Sequence, residues 1–147
     1  GHLGQSIYLR EIEGREDGAA PKVDPGLEKK HGNFVRGLIE AGRVDTCHDV
    51  SDGGLLVAVA EMAIAGRLGA TLAADPALPA AGWAFGEDQG CYLVTTAAGA
   101  ALPPCPVPLA RIGTVGGAAL AVDGHGSRPL AALARAHRNF LPDYMAR

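Results

Sequence analysis

His48-Asp49-Val50-Ser51-Asp52-Gly53-Gly54-Leu55 lies between an apolar-leaning run, residues 44–50, and a largely apolar run, residues 55–65. The pattern reads as a buried strand, a tight polar turn and a buried helix over about 52–66. Ser51 or Asp52 can cap that helix, since a short side-chain oxygen accepts from the free N–H groups of a first turn. Gly53 and Gly54 let the backbone turn sharply or approach a neighbour closely. A glycine-containing helix start attracts anions, yet Asp49 and Asp52 repel one unless a metal ion intervenes. The junction is either a cation-dependent phosphate site or a well-capped structural turn, and the octapeptide alone favours the turn.

Upstream, Asp24-Pro25 opens a helix: Asp24 is a good N-cap and Pro25 fits the first helical position. Leu27, His31, Phe34, Val35, Leu38 and Ile39 share one face at helical spacing, and Gly42 ends the helix. His31, on that stripe, reads as a partly buried core histidine. Residues 11–23 are charged and broken by Gly14, Gly18 and Pro21, a mobile loop. Ser6-Ile7-Tyr8-Leu9 reads as a strand entered from a Gly-rich linker. With no Met before it, that linker suggests a piece of a longer protein.

Downstream, helix 52–66 is apolar on nearly all sides, so it is covered on more than one side or meets another domain. Ala70-Thr71-Leu72-Ala73 is a short strand. A second polar cluster, Gly86-Glu87-Asp88-Gln89-Gly90, precedes the strand Cys91-Tyr92-Leu93-Val94-Thr95-Thr96. It is either a plain polar turn or a hydrogen-bonding or cation-binding corner. Pro103, Pro104, Pro106 and Pro108 preclude an ordinary helix before a strand over 109–115. Gly116-Gly117 reads as a hairpin turn, 118–122 as its return strand, 123–126 as a loop with His125 at the surface. A last helix starts near 127–129 and is stopped by Pro142. The order gives an α+β fold, a layered mixed β-sheet with packed helices, in a single domain over 1–147. No GxGxxG or Walker A motif occurs, and no Ser/His/Asp or Cys/His constellation points to a catalytic residue.

Composition narrows the function. A net charge of −3 without a basic block makes nucleic acid and anionic membrane poor partners. The longest unbroken apolar run, residues 55–60, is too short to span a bilayer. Cys47, Cys91 and Cys105 are odd in number and widely spaced, which fits neither a disulfide framework nor a cysteine zinc site and suits a reducing cytoplasm.

Several stretches taken in order carry a family resemblance. They are Leu3-Gly4-Gln5-Ser6-Ile7-Tyr8-Leu9, the octapeptide 48–55, Ala60-Glu61-Met62-Ala63, Gly86-Glu87-Asp88-Gln89 and Ile112-Gly113-Thr114-Val115-Gly116-Gly117. Together they resemble the C-terminal domain of the synthetase subunit of phosphoribosylformylglycinamidine synthases, within the AIR synthase-like superfamily. The resemblance implies a fragment of an ATP-dependent carbon–nitrogen ligase of purine biosynthesis. That enzyme converts formylglycinamide ribonucleotide to its amidine with ATP, Mg²⁺ and ammonia from glutamine. It implies as partners the remaining domains of the enzyme, a glutaminase and small accessory subunits. It implies Asp49 as a Mg²⁺ ligand and Glu87, Asp88 and Gln89 as the counterpart of a corner that holds the substrate ribonucleotide; with Ser51, Asp52, Gly53 and Gly54 of the turn these make the candidate cofactor-binding set.

The sequence also departs from that family. Asp88 stands where a substrate-holding copy has Ser, and a carboxylate there repels a phosphate. Cys91 stands where Arg is expected, and residues 97–108 replace a helix. The cleft therefore reads as the auxiliary, structural half of a two-part enzyme. The isolated chain is expected to be inactive and to present an apolar face or self-associate.

Overall fold

The computed structural model describes residues 1–146. The elements run α1 (Ile7–Glu11), α2 (Pro25–Glu40), β1 (Thr46–Val50), α3 (Gly54–Gly66), β2 (Ala70–Leu72), α4 (Ala80–Phe85), β3 (Cys91–Thr95), β4 (Gly113–Val115), β5 (Ala119–Val122), β6 (Gly126–Pro129) and α5 (Leu130–Met145). This is the α+β class expected, with open sheets and packed helices. The described chain divides into two compact units, 1–58 with 75–111 and 59–74 with 112–146.

In the first unit, β1 and β3 form an antiparallel pair, from Thr46↔Thr95 to Val50↔Cys91. The strand expected to be buried is largely exposed: TCHDV offers little aliphatic bulk, and the sheet has only two strands. Helix α2 keeps its expected ends. The Asp24 carboxylate accepts from Leu27 N–H at 3.0 Å, and Pro25 fills the first position. At the other end Gly42 is left-handed (φ +62°), Gly42 N–H reaches the Ile39 carbonyl and Arg43 N–H reaches the Leu38 carbonyl. That pair of bonds closes the helix as a Schellman motif. Along its stripe Leu38 is buried, while Leu27 and Ile39 are about half exposed, at 47% and 50%.

Residues 7–11 are helical rather than a strand. The Ser6 hydroxyl, almost fully buried, accepts from Leu9 N–H at 3.3 Å and caps α1. A local side-chain cap offers the backbone a partner that Ile-Tyr-Leu in a strand would have to find elsewhere. Tyr8 then stacks on Phe85, with ring centroids 5.1 Å apart. The connector before the second polar cluster folds as α4, and its Trp83 and Ala84 are buried with Leu38 and Ala58 in the core of this unit.

In the second unit the strand order is β4-β2-β5-β6. The expected β4–β5 hairpin does not form: β2 lies between them, antiparallel to β4 and parallel to β5. Gly116-Gly117 closes on Gly69 instead, with Gly116 N–H to the Gly69 carbonyl at 2.7 Å and Gly69 N–H to the Gly117 carbonyl at 2.9 Å. The reason is burial. Ala70 and Leu72 are 6% and 4% exposed, and a buried strand needs partners for the N–H and C=O groups of both edges. Residues 126–129 form an edge strand, with Pro129 and Gly126 where an edge tolerates them. Helix α5 therefore starts at Leu130 and runs through Pro142 to Met145. Val59, Ala63, Ala70, Leu72 and Leu120 make the core of this unit.

Helix α3 is covered more than an exposed interface helix would be. Ala58, Val59 and Ala63 are buried, and Val57 is the most open of its larger apolar side chains at 37%. Four exposed large apolar residues, Phe140, Leu141, Tyr144 and Met145, gather at the end of α5.

Candidate functional site

The second polar cluster and the central turn meet through one carboxylate oxygen. Glu87 Oε1 accepts from Gly53 N–H at 2.8 Å and from Ile7 N–H at 2.9 Å. The turn preceding α3 and the start of α1 are thus held by the same side chain, while Glu87 N–H donates to the His2 carbonyl at 2.9 Å. Gly53 and Gly54 are both left-handed, with φ +81° and +75°. A Cβ on Gly54 would stand 2.5 Å from the Phe85 carbonyl carbon, and one on Gly53 would stand 2.7 Å from the Val57 side chain. Both glycines are required by backbone shape and close approach together. Ser51 contributes its carbonyl to Gly54 N–H at 3.0 Å. Asp52 lies within electrostatic reach of Arg10, whose guanidinium is held up chiefly by the adjacent Glu11.

Asp88 is engaged as well. Its Oδ2 accepts from the Gly1 amine and from His2 N–H, each at 3.0 Å. Burial pushes this carboxyl up, but the amine and the N–H bond together hold it below the ordinary carboxylate value. The negative charge is felt at Cys91, whose thiol is pushed up first by burial and then by Asp88. A thiol so placed stays protonated and is a poor nucleophile. Behind the corner His31 Nδ1 bonds the Gly90 carbonyl at 2.9 Å, fixing α2 against the entry to β3. This is the part-buried core histidine expected. Its Nε2 has no hydrogen-bond partner among the described residues.

Beside the corner lies a shallow cleft of about 460 Å³ lined by His2, residues 19–22, Asp88 and Gln89. The loop expected to be mobile forms its wall and is held in place. Gln5 N–H reaches the Asp17 carbonyl, the Gln5 amide reaches the Gly18 carbonyl, and His2 Nε2 lies 2.7 Å from the Ala19 carbonyl. The fold thereby brings the cation of Lys22 to the same cleft as Asp88 and Gln89. Sequence reasoning missed Lys22, since 66 residues separate it from Asp88; only the Gly-broken loop hinted that the chain doubles back.

Asp49 is not drawn into this network. Its carboxylate is 65% exposed and 3.7 Å from His48 Nδ1. Among the described residues no group of three or more His, Cys, Asp or Glu is placed to hold a metal ion. A single open carboxylate suits only an ion whose other ligands are waters, phosphates or groups outside this chain.

Comparison with known proteins agrees with this architecture. The sequence model of the family "AIR synthase related protein, C-terminal domain" matches residues 1–123. The phosphoribosylformylglycinamidine synthase subunit PurL of Rhodopseudomonas palustris (strain TIE-1) is 53% identical over 152 residues, covering 99% of this chain and 21% of that protein. The same subunit of Rhodospirillum rubrum is 55% identical over 150 residues, covering 98% and 20%. The chain thus spans about a fifth of the length of the curated relatives it matches. Among solved structures, T. maritima PurL complexed with FGAR superposes with a TM-score of 0.64 at 18% identity, over 91% of this chain and 26% of that one. T. maritima PurL complexed with ATP gives 0.61 at 19% identity, over 91% and 24%. These two likenesses establish a shared fold.

Proposed function

Since the chain belongs to the family of AIR synthase related proteins, C-terminal domain, matched over residues 1–123, we propose that it is a scaffold domain of an ATP-dependent phosphoribosylformylglycinamidine synthase. One observation carries the scaffold role. Glu87 Oε1 is occupied by two backbone N–H groups, from Gly53 and Ile7. Glu87 Oε1 is committed to two helix starts, and Asp88 Oδ2 is tied to the first two residues in the same way, so both side chains join parts of the chain to one another. The chemistry of the reaction, ATP with Mg²⁺ driving attack of ammonia on the formylglycinamide ribonucleotide, then belongs to the rest of a longer enzyme acting in the cytoplasm with glutaminase and accessory subunits. Phosphoryl transfer rests on positioning and on cations beside the phosphates. Around its central turn this chain offers carboxylates instead.

The cleft beside Lys22 supports a secondary role, an auxiliary nucleotide site. Lys22 and the Gln89 amide supply donors to an anion there, and Asp88 opposes one. Asp49 is open to solvent, and a Mg²⁺ ion held there would lean on ligands from elsewhere in the enzyme.

The test uses the chain alone and the chain placed, whole, in the R. palustris subunit in place of the 152 residues it matches. Amidine formation is followed with the ribonucleotide substrate, ATP, Mg²⁺ and ammonium. The chimera is expected to turn over and the free chain to release no substrate-dependent ADP. Substrate-dependent ADP release by the free chain, abolished by Asp49→Ala, would assign the chemistry to this domain and refute the scaffold role.

A further inference from the structure

We infer that the C-terminal half of α5 is a docking face for the remainder of the enzyme polypeptide; this rests on the domain reading above. Among the described residues, helix α5 is covered by its own unit at its start. Leu130 N–H donates to the Ala118 carbonyl at 2.9 Å, the helix packs on β5 and β6, and Leu130, Leu133 and Ala134 are half-buried. Every residue from 135 to 146 is exposed. In that stretch stand Phe140, Leu141, Tyr144 and Met145, open by 67%, 64%, 65% and 83%. Phe140 and Tyr144 stack on each other one turn apart, at 6.2 Å between ring centroids. A groove of about 500 Å³ runs along the same helix, floored by Ala132 and Ala136 and walled by Arg135, Phe140 and Tyr144. Single exposed apolar side chains are ordinary, whereas four within two turns form a patch that marks a contact.

Two independent facts say what covers it. The family model ends at residue 123, before α5 begins, whereas relatives that are 53–55% identical match 98–99% of this chain. Helix α5 thus lies beyond the stretch that the family model matches and within the stretch shared with subunits of which this chain spans 20–21%. The extent of the patch points the same way. Four side chains about two-thirds exposed contribute roughly 500 Å². That is short of the ~800 Å² per partner that sustains a dimer of separate chains. Tethered docking has no such threshold, because the linked partner is present at high effective concentration. Arg135 and Arg138 flank the patch with Asp143 as the acidic exception, so the occupant is an apolar segment edged by carboxylates.

Hydrogen exchange of the amides over 135–146 is measured in the free chain and in the R. palustris chimera, each as wild type and as Phe140→Glu with Tyr144→Glu. The expected result is at least tenfold slower exchange of these amides in the wild-type chimera than in the free chain, lost in the double variant. Unfolding of the free chain should be the same for both sequences. A chimera that is active while these amides exchange as in the free chain leaves the domain assignment standing and overturns docking through α5. A folded but inactive chimera with protected amides overturns the assignment and keeps the docking face. Concentration-dependent protection in the free chain with a doubled mass makes a second copy the occupant and overturns the proposal. If the chimera does not fold, a photo-cross-linker is placed at the residue matching Tyr144 in the intact R. palustris subunit, where the tether is kept. A cross-link to the remainder supports the proposal, and its absence overturns it.

Discussion

The corner at 86–89 and the end of α5 are opposite kinds of surface. At the corner the polar groups find partners within the chain: Glu87 takes two backbone N–H groups and Asp88 takes an amine and a third. At the end of α5 the apolar groups stay open, with Phe140 stacked only on its helix neighbour Tyr144 among the described residues, and four large side chains are more than 60% exposed. A polar cluster that looks like a site in sequence can be an internal joint, while an unremarkable terminal helix can be the surface that meets something else. The distinction rests on whether each group's interactions are completed inside the chain.

The comparison is most easily broken at the joint. Gly54→Ala places a Cβ 2.5 Å from the Phe85 backbone at a φ of +75°. Left-handed strain and overpacking together should cost about 2–5 kcal/mol, seen as a lowered denaturation midpoint. A loss below ~1 kcal/mol would mean that the turn and α4 are not in tight contact. Glu87→Ala should come next. It leaves Gly53 N–H and Ile7 N–H without their acceptor, at about 1–3 kcal/mol per part-buried group. The denaturation midpoint falls, and amide exchange at residues 7 and 53 accelerates. Glu87→Gln, which keeps an acceptor oxygen, should recover part of the loss.

Acid sharpens the comparison further. The Asp88 carboxyl is held below its ordinary value of 3.8 in the folded chain. Folded protein therefore binds this proton less readily than unfolded chain. The stabilisation is complete above the ordinary value and is lost as pH falls through the depressed one. Asp88→Asn should flatten that acid limb of the stability curve. An unchanged acid limb in Asp88→Asn would remove the Asp88 joint from the account. The smallest effect belongs to α5. Phe140→Ser in the free chain should change stability by no more than about 0.5 kcal/mol, measured by the same denaturation. A larger loss would show that Phe140 already packs inside its own unit.

Much of the joint was legible in sequence, though its meaning was not. Gly53, Gly54, Glu87 and Asp88 were marked as candidates, and all four fall at the joint. Carboxylates between glycines look alike whether they await a ligand or cap a backbone. The difference lies in what the fold brings from 34 residues away to Gly53 and 80 to Ile7. Lys22 entered the cleft for the same reason, through a loop that doubles back on Gln5 and His2.

Sequence alone determined what short-range chemistry controls. Asp24-Pro25 and Gly42 set the ends of α2, because a cap and a left-handed glycine act over four residues. The proline run kept 97–108 out of any helix, because proline has no N–H to donate. Tertiary structure decided what depends on distant partners. It turned residues 7–11 into helix by supplying Glu87 to Ile7 N–H. It drew β2 between β4 and β5, where Gly116-Gly117 had the composition of a hairpin turn. A hairpin and a strand are local preferences of about a kcal/mol or so. Satisfying the backbone of a buried central strand outweighs them.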